Sequence, residues 1–193
     1  MLKKLPNINF DTVFKHTTNK CIDPVCVNVS YKMAHMVLPV ANRLYNFGIQ
    51  IDKSCSFCKK KDETVDHLFL YCTHIQWTKR FLVSWLHDVC QSGISLDIIQ
   101  FSYFDCKNMT GNIKTALIIL SEYRYAIWTI RNKIRFEKKN LKPIDIVTMF
   151  LNRIKSRILV DYNRLDIISF NYLWCYKSLC SLDDRTVVYN FGL

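Results

Sequence analysis

The feature that most constrains this chain is a set of four cysteine and histidine residues, the types that bind metal ions, within eighteen positions. Two residues separate Cys55 from Cys58, eight residues separate Cys58 from His67, and four residues separate His67 from Cys72, which closes the pattern. The spacing C-x2-C-x8-H-x4-C offers three thiolates and one imidazole, a ligand set for a tetrahedral structural zinc ion. Because two thiols share one turn and the other two ligands follow in the next segment, the pattern predicts a Cys3His zinc knuckle.

The segment between the two ligand pairs predicts a short helix from Glu63 to about Tyr71, with His67 early on it. Positions five apart on an ideal α-helix point away from each other, so His67 and Cys72 meet on one ion only if the helix ends or loosens near Tyr71. We expect that it does. Two alternatives stay open at this point: the cysteines are reduced and merely buried, or His74 replaces His67 or Cys72 as a ligand.

The composition favours a folded, mainly α protein: a helical domain with an inserted Cys3His zinc knuckle. Half of the 193 residues are hydrophobic, which is enough for one sizeable core, and four Gly and four Pro are too few for the turns of a β-sandwich. The richest apolar stretch, residues 116–130, is interrupted by Glu122 and Arg124, so no membrane association is expected. The first residues lack a secretory signal, which predicts an intracellular protein, nuclear or cytoplasmic, with thiols rather than disulfides.

Apolar spacing and capping residues predict the order of the helices. A region of residues 1–110 carries the knuckle, whose module core is residues 32–90, and residues 111–193 form a basic helical region packed on it. Pro143 begins a helix whose buried face includes Phe150, Ile154 and Leu159. Phe57 is expected to be exposed, whereas Trp77 is expected in the core. Predicted helices cover residues 11–15, 25–36, 39–47, 73–90, 96–101, 112–139, 143–159 and 170–176, and residues 186–191 are predicted to be extended.

Positive charge is concentrated in one part of the chain. The net charge is +11, and between Arg124 and Arg157 ten Lys or Arg residues are opposed only by Glu137 and Asp145. Charge of this density on folded helices favours a polyanionic partner, with nucleic acid ahead of a membrane surface. The alternative is a solvated basic face that serves only solubility.

Two stretches resemble a known family. Residues 38–49 read Leu-Pro-x2-Asn-x-Leu-x3-Gly-Ile. They are followed by Cys55-x2-Cys58 and then by Glu63-Thr64-x2-His67-Leu-Phe-x2-Cys72. This pattern resembles the zinc-binding region of non-LTR (LINE-type) retrotransposon reverse transcriptases. Further on, Trp128-x2-Arg131-Asn132 is similar to a segment that follows the knuckle in those polyproteins. The polymerase motif Tyr/Phe-x-Asp-Asp and the nuclease part are absent from this sequence.

The resemblance implies a non-catalytic module that binds RNA or DNA through phosphate contacts, with a polymerase domain in cis or trans as a further partner. An alternative prediction for Arg131, which follows Trp128, is that it packs against a core carboxylate. Other functions left open are a structural or protein-interaction zinc module and a non-functional retroelement fragment. The predicted metal ligands for Zn²⁺ are Cys55, Cys58, His67 and Cys72, and the predicted phosphate contacts are Lys59, Lys60, Lys61, Lys79, Arg80, Arg131, Lys133, Arg135, Lys138 and Lys139.

Overall fold

The structure is a computed structural model, and it describes residues 10–91 and 112–191. Over these residues the chain is mainly helical, as the sequence predicts, and it has one two-stranded antiparallel sheet. The elements are α1 (Phe10–Thr17), α2 (Pro24–Ala34), α3 (Ala41–Asn46), a π-helical turn (His67–Tyr71), a 3-10 turn (Thr73–Ile75), α4 (Gln76–Cys90), α5 (Ile113–Phe136), α6 (Pro143–Arg164), α7 (Ile167–Trp174), β1 (Cys180–Asp183) and β2 (Thr186–Tyr189).

Local chemistry explains where several helices begin and end. The Asp23, Asn112 and Asp166 side chains each accept a hydrogen bond from a backbone N–H in the first turn of the helix they precede. Pro143 is the first residue of α6, a position where its missing N–H costs nothing. Gly48 follows the end of α3 with φ of +81°, a left-handed conformation that favours glycine.

The centre of the molecule is α5, which packs against α2, α4 and α6. Its residues from Thr115 to Ile130 are almost all buried, including Tyr123 at its middle. The Tyr123 ring meets Phe150 of α6 edge-on at 5.6 Å between centroids, and Phe150 meets Trp85 of α4 at 5.1 Å. These contacts belong to one hydrophobic cluster that also takes in Cys55 and Cys72, so the predicted knuckle adjoins the helical core.

The C-terminal part adds the two-stranded sheet of β1 and β2 to this core. Residues 186–189 of the predicted extended segment form β2, which pairs with β1 in the register Cys180 to Tyr189 and Asp183 to Thr186. Strand β1 was not anticipated from the sequence. The prediction that Leu159 is buried is wrong, because its side chain is 46% exposed on α6. The predicted helix over residues 96–101 lies outside the described residues.

Over residues 10–91 and 112–191, no helix combines the length and the apolar character that crossing a membrane requires.

Candidate metal centre

The structure brings the four predicted ligands into one cluster. The ligand atoms of Cys55, Cys58, His67 and Cys72 all lie within 4.8 Å of one another. The Cys55 and Cys72 Sγ atoms are 3.9 Å apart, and the Cys58 Sγ is 3.2 Å from the His67 Nε2. Zn–S and Zn–N bonds of about 2.3 and 2.0 Å in a tetrahedron separate such atoms by about 3.8 and 3.5 Å, so the residues fit a tetrahedral ion. His74, the alternative ligand considered from the sequence, is not part of the cluster.

A short hairpin presents the first two thiols. The Cys55 N–H donates to the Lys61 carbonyl at 2.7 Å, and the Glu63 N–H donates to the Lys53 carbonyl at 2.8 Å, which closes residues 53–63 into a loop. Inside it, the Lys59 N–H donates to the Cys55 carbonyl at 3.0 Å, and Lys59 has φ of +56°. This turn folds the chain back immediately after Cys58, so both sulfurs point to the same side of the loop.

The second pair of ligands meets through the π-helical turn His67–Tyr71. The Cys72 N–H donates to the His67 carbonyl, five residues back, at 2.7 Å. In this wider turn, residues five apart lie nearly one above the other, which an α-helix does not allow. Cys72 then leaves the helix with ψ of 134°. The expected loosening near Tyr71 is therefore present, and it takes the form of the π-turn.

The π-turn needs outside partners because it breaks the regular ladder of helix hydrogen bonds. The Tyr123 hydroxyl of α5 donates to the Phe69 carbonyl at 3.0 Å. The Leu70 carbonyl accepts from the Lys79 ammonium at 3.2 Å, and the Gln76 amide donates to the Cys72 carbonyl at 2.9 Å. Helices α4 and α5 thus hold the turn that positions His67 and Cys72.

A buried carboxylate joins the knuckle to the rest of the protein. One Glu63 oxygen accepts from the Ser56 N–H at 2.9 Å, and Ser56 lies between the two hairpin ligands. The other oxygen accepts from the Ala41 N–H at 2.9 Å and from the Arg131 Nε at 3.0 Å. Both members of the Glu63–Arg131 pair have fully buried side chains. From the sequence, Glu63 was predicted only as the start of a helix, and its role in this network was not predicted, because its partners Ala41 and Arg131 are distant along the chain.

The prediction that Arg131 contacts phosphate is therefore wrong, because its side chain is buried. Its guanidinium lies 4.7 Å from the centre of the Trp128 ring, donates to the Asn132 side chain at 2.9 Å and pairs with Glu63. The alternative raised by the neighbouring Trp128, that Arg131 packs against a core carboxylate, is the arrangement found. The segment Trp128-x2-Arg131-Asn132, for which the resemblance to reverse transcriptases was noted, thus has a structural role in α5. Its arginine is buried and is not exposed to a nucleic acid.

The other predicted basic residues occupy three kinds of position. The Arg135 guanidinium donates to the Asp52 carbonyl, tying the end of α5 to the chain that enters the knuckle, and Lys79 is partly used on the π-turn. Lys133 is half-buried. The exposed members of the set are Lys59, Lys60, Lys61, Arg80, Lys138 and Lys139.

Two aromatic residues have exposures opposite to those expected. Phe57 is only 8% exposed, and Trp77 is 63% exposed at the start of α4. The Arg80 guanidinium lies 5.2 Å from the centre of the Trp77 ring, so a cation and a flat ring share one exposed position. The prediction of a buried Trp77 and an exposed Phe57 is wrong in both parts.

The pKa values of the Cys55 and Cys72 thiols are shifted because their sulfur atoms lie close together. The hydrogen bond from Cys72 lowers the pKa of the Cys55 thiol to about 5, and the same contact raises the pKa of Cys72. A metal cation that binds here displaces the proton shared by the two sulfurs, and both then act as thiolate ligands. For Glu63, burial alone would raise the pKa, but the hydrogen bonds and charge of Arg131 outweigh it, and the pKa is lowered. Glu63 is thus an anion in the folded protein.

A closed Cys3His cluster, held by a hairpin and a π-turn against a helical core, defines a metal-binding knuckle of the structural kind. Residues 5–78 match the family model described as zinc-binding in reverse transcriptase. The match includes all four cluster residues and Glu63, and it covers fewer than half of the chain's 193 residues. The resemblance to the zinc-binding region of reverse transcriptases is confirmed over this segment. No curated protein and no solved structure matches the chain.

Proposed function

We propose that this chain is a zinc-stabilised nucleic-acid-binding module that serves a LINE-type reverse transcriptase, with the polymerase domain supplied in cis or in trans. Cys55, Cys58, His67 and Cys72 hold Zn²⁺, which cross-links the hairpin and the π-turn when bound. In this proposal the contribution of the chain to the enzyme is binding, and the chemistry of polymerisation belongs to its partner.

The observation that carries the proposal is the convergence of distant basic segments on the knuckle. The Arg135 guanidinium bonds the carbonyl of Asp52 and fixes the basic end of α5 beside the hairpin. Lys59 of the hairpin and Lys139 after α5 consequently line the same cleft. We call the exposed lysines of this region the basic face: Lys59, Lys60, Lys61, Lys138 and Lys139.

A surface of this kind suits phosphates rather than particular bases. Exposed lysines are mobile point charges that contact backbone phosphates without sequence discrimination, and each contact releases counterions from the nucleic acid. The exposed Trp77–Arg80 pair offers in addition a flat cationic position on which a base can stack. Binding is therefore expected to be sequence-tolerant and strongly dependent on salt.

The test is the salt dependence of binding to a generic 20-nucleotide RNA or DNA oligonucleotide, followed by fluorescence anisotropy. The variant Lys60→Gln/Lys61→Gln/Lys138→Gln removes three exposed charges of the basic face. We expect the log–log slope of affinity against salt to flatten by about 2, since each lost phosphate contact contributes about 0.7 to 0.9. Zinc content and helicity should stay unchanged.

The matched control is Lys20→Gln/Lys32→Gln/Lys114→Gln, which removes the same charge from exposed lysines outside the basic face. An equal effect of the two variants would reduce the interaction to net charge and contradict a defined basic face. Absence of binding by the wild-type protein at low salt would contradict the proposed function itself.

A further inference from the structure

A cleft of about 350 Å³ lies between the knuckle hairpin and the connection from α5 to α6. We call it the knuckle cleft. Its lining includes three lysines, Lys59 from the hairpin and Lys139 and Lys142 from the connection. Five apolar side chains, among them Phe57, Ile134 and Ile146, share the rest of the lining with the polar residues Ser56, His74 and Asn140. Lys142 is one of the ten basic residues counted between Arg124 and Arg157.

The charge of the knuckle cleft is of one sign. Among the residues that the structure describes, no carboxylate lines this cleft, whereas clefts of about 610, 440 and 380 Å³ elsewhere are lined by Asp23 and Glu122, by Asp66 and by Asp161, respectively. One acid lies nearby: Glu137 is paired with Lys139 at 2.8 Å, and both side chains are about half exposed. Exposed pairs of this kind are weak, so an anion can replace Glu137.

A second nearby carboxylate is already committed. Asp145, in the first turn of α6, accepts the Lys142 backbone N–H at 2.6 Å and is used to cap that helix. The Lys142 side chain is exposed. The lysines at the knuckle cleft therefore leave a net positive charge facing an apolar lining, an arrangement that selects an anion with an apolar part.

Size and lining together point to one ligand class. A volume of about 350 Å³ is at the lower end of the range for small-molecule pockets, which is the size of one nucleotide. A nucleotide offers a phosphate for the lysines and a flat base for the apolar walls, where Phe57 is the aromatic member. We propose that the knuckle cleft binds one unstacked nucleotide of a single-stranded nucleic acid, an inference that rests on the proposed function.

Single strands are favoured because a base in a duplex is paired and stacked, and so cannot enter a cleft of this size without being extruded. The site also explains why the knuckle docks on the α5–α6 connection. Lys59 reaches the cleft from one side and Lys139 and Lys142 from the other, so the site exists only when the hairpin is folded and held in place.

The experiment compares the affinity of the full chain for oligo(U) and oligo(dT) twelve-mers with its affinity for a twelve-base-pair duplex, by anisotropy at fixed salt. The test variant is Lys59→Gln/Lys139→Gln/Lys142→Gln, and the matched control is again Lys20→Gln/Lys32→Gln/Lys114→Gln. We expect the wild type to prefer a single strand of either sugar by about tenfold or more, because base stacking adds to the phosphate contacts. The cleft variant should lose this preference, and the control should keep it.

A second variant separates shape from charge. Asn140 is exposed and lines the knuckle cleft, so Asn140→Leu narrows the cleft without changing any charge and without adding a ring on which a base could stack. We expect it to reduce single-strand affinity severalfold and to leave duplex affinity unchanged. Zinc content and circular dichroism confirm folding in each variant.

The outcomes distinguish this inference from the proposed function. Equal single-strand and duplex affinities in the wild type, or a preference that survives the cleft variant, would overturn the nucleotide site while nucleic-acid binding stands. No binding of any oligonucleotide would overturn the proposed function and the site with it.

Discussion

The Glu63 carboxylate is completely buried, and it remains charged because five hydrogen bonds reach its two oxygens. They come from the backbone of Ala41, the backbone and hydroxyl of Ser56, and two nitrogens of Arg131. Three parts of the chain, the hairpin, the start of α3 and the C-terminal part of α5, are thereby fixed relative to one another. A buried ion pair with this many hydrogen bonds specifies one arrangement of the knuckle on the helices.

Removing either member of this pair should destabilise the protein strongly. Glu63→Gln leaves the Arg131 charge buried, and Arg131→Met leaves the Glu63 charge buried, so each change should lower the free energy of unfolding by about 3–5 kcal/mol. Urea denaturation followed by circular dichroism measures this. The double variant should cost clearly less than the sum of the two, since it leaves no unpaired charge.

The matched control is Glu137→Gln, which removes the acid of the exposed Glu137–Lys139 pair. No measurable change in the free energy of unfolding is expected there. Single variants at Glu63 and Arg131 as stable as the wild type would contradict the structural role given to the pair.

The metal ligands make a separate prediction at the scale of one residue. The wild-type protein should contain one zinc per chain, and Cys58→Ser should lower that content sharply because a serine hydroxyl does not ionise to replace a thiolate. Elemental analysis of the purified proteins measures it. Cys175→Ser, a half-buried cysteine outside the cluster, is the control and should keep its zinc. Full zinc retention in a Cys55, Cys58 double serine variant would refute the site.

Spacing alone predicted the four cluster residues, because ligand order and loop length are local properties of the sequence. Exposure was harder to predict. Trp77 was assigned to the apolar stripe of a helix from Thr73, but the chain there makes a 3-10 turn and α4 begins only at Gln76. Trp77 is the second residue of α4, and its side chain is 63% exposed. Phe57 was taken as exposed between ligands, but it is only 8% exposed, and it lines the cleft between the hairpin and the α5–α6 connection.

At the scale of elements, the start of α5 was predictable from its capping residue Asn112, whereas the Asp166 cap was missed and α7 begins at Ile167, three residues before the predicted start. Pro143 and Gly48 marked ends for the same local reason. The π-turn was anticipated only as a loosening, since its stability depends on Tyr123, Gln76 and Lys79, which the local sequence does not bring near. Strand β1 was missed because its pairing with β2 is what makes it a strand.

The dependence of the π-turn on α5 can be measured. Tyr123→Phe keeps the ring that packs on Phe150 and removes the hydroxyl that donates to the Phe69 carbonyl. We expect the free energy of unfolding to fall by about 1–2 kcal/mol, the usual cost of losing one partner of a buried hydrogen bond. Tyr45→Phe, at a ring 52% exposed, is the control and should be neutral. Equal effects at the two positions would show that the hydroxyl does not support the turn.

At the scale of the whole molecule, the basic residues divide into an internal set and a surface set. Of the ten between Arg124 and Arg157, Arg124 and Arg131 are buried, and Arg153 and Arg157 are paired with Glu122 and Asp161. The exposed charges are found mainly where α5 ends beside the knuckle. Counting charges along the sequence therefore overstated the extent of the basic surface, and folding concentrates it at one end.

Zinc removal tests how far the metal organises this molecule. The cluster residues lie in the hairpin and the π-turn, whereas α4, α5 and α6 pack through apolar side chains such as Trp85, Tyr123 and Phe150. Chelation should therefore leave most of the helical signal at 222 nm, while hydrogen exchange accelerates across residues 53–72. The melting temperature should fall by at least about 6 °C, which corresponds to about 2–3 kcal/mol for a domain of this size. Added Zn²⁺, and not Mg²⁺, should restore both properties, because thiolate ligands select the softer ion. Complete loss of helix on chelation would instead place the metal at the centre of the fold, and an unchanged melting temperature would deny it a structural role.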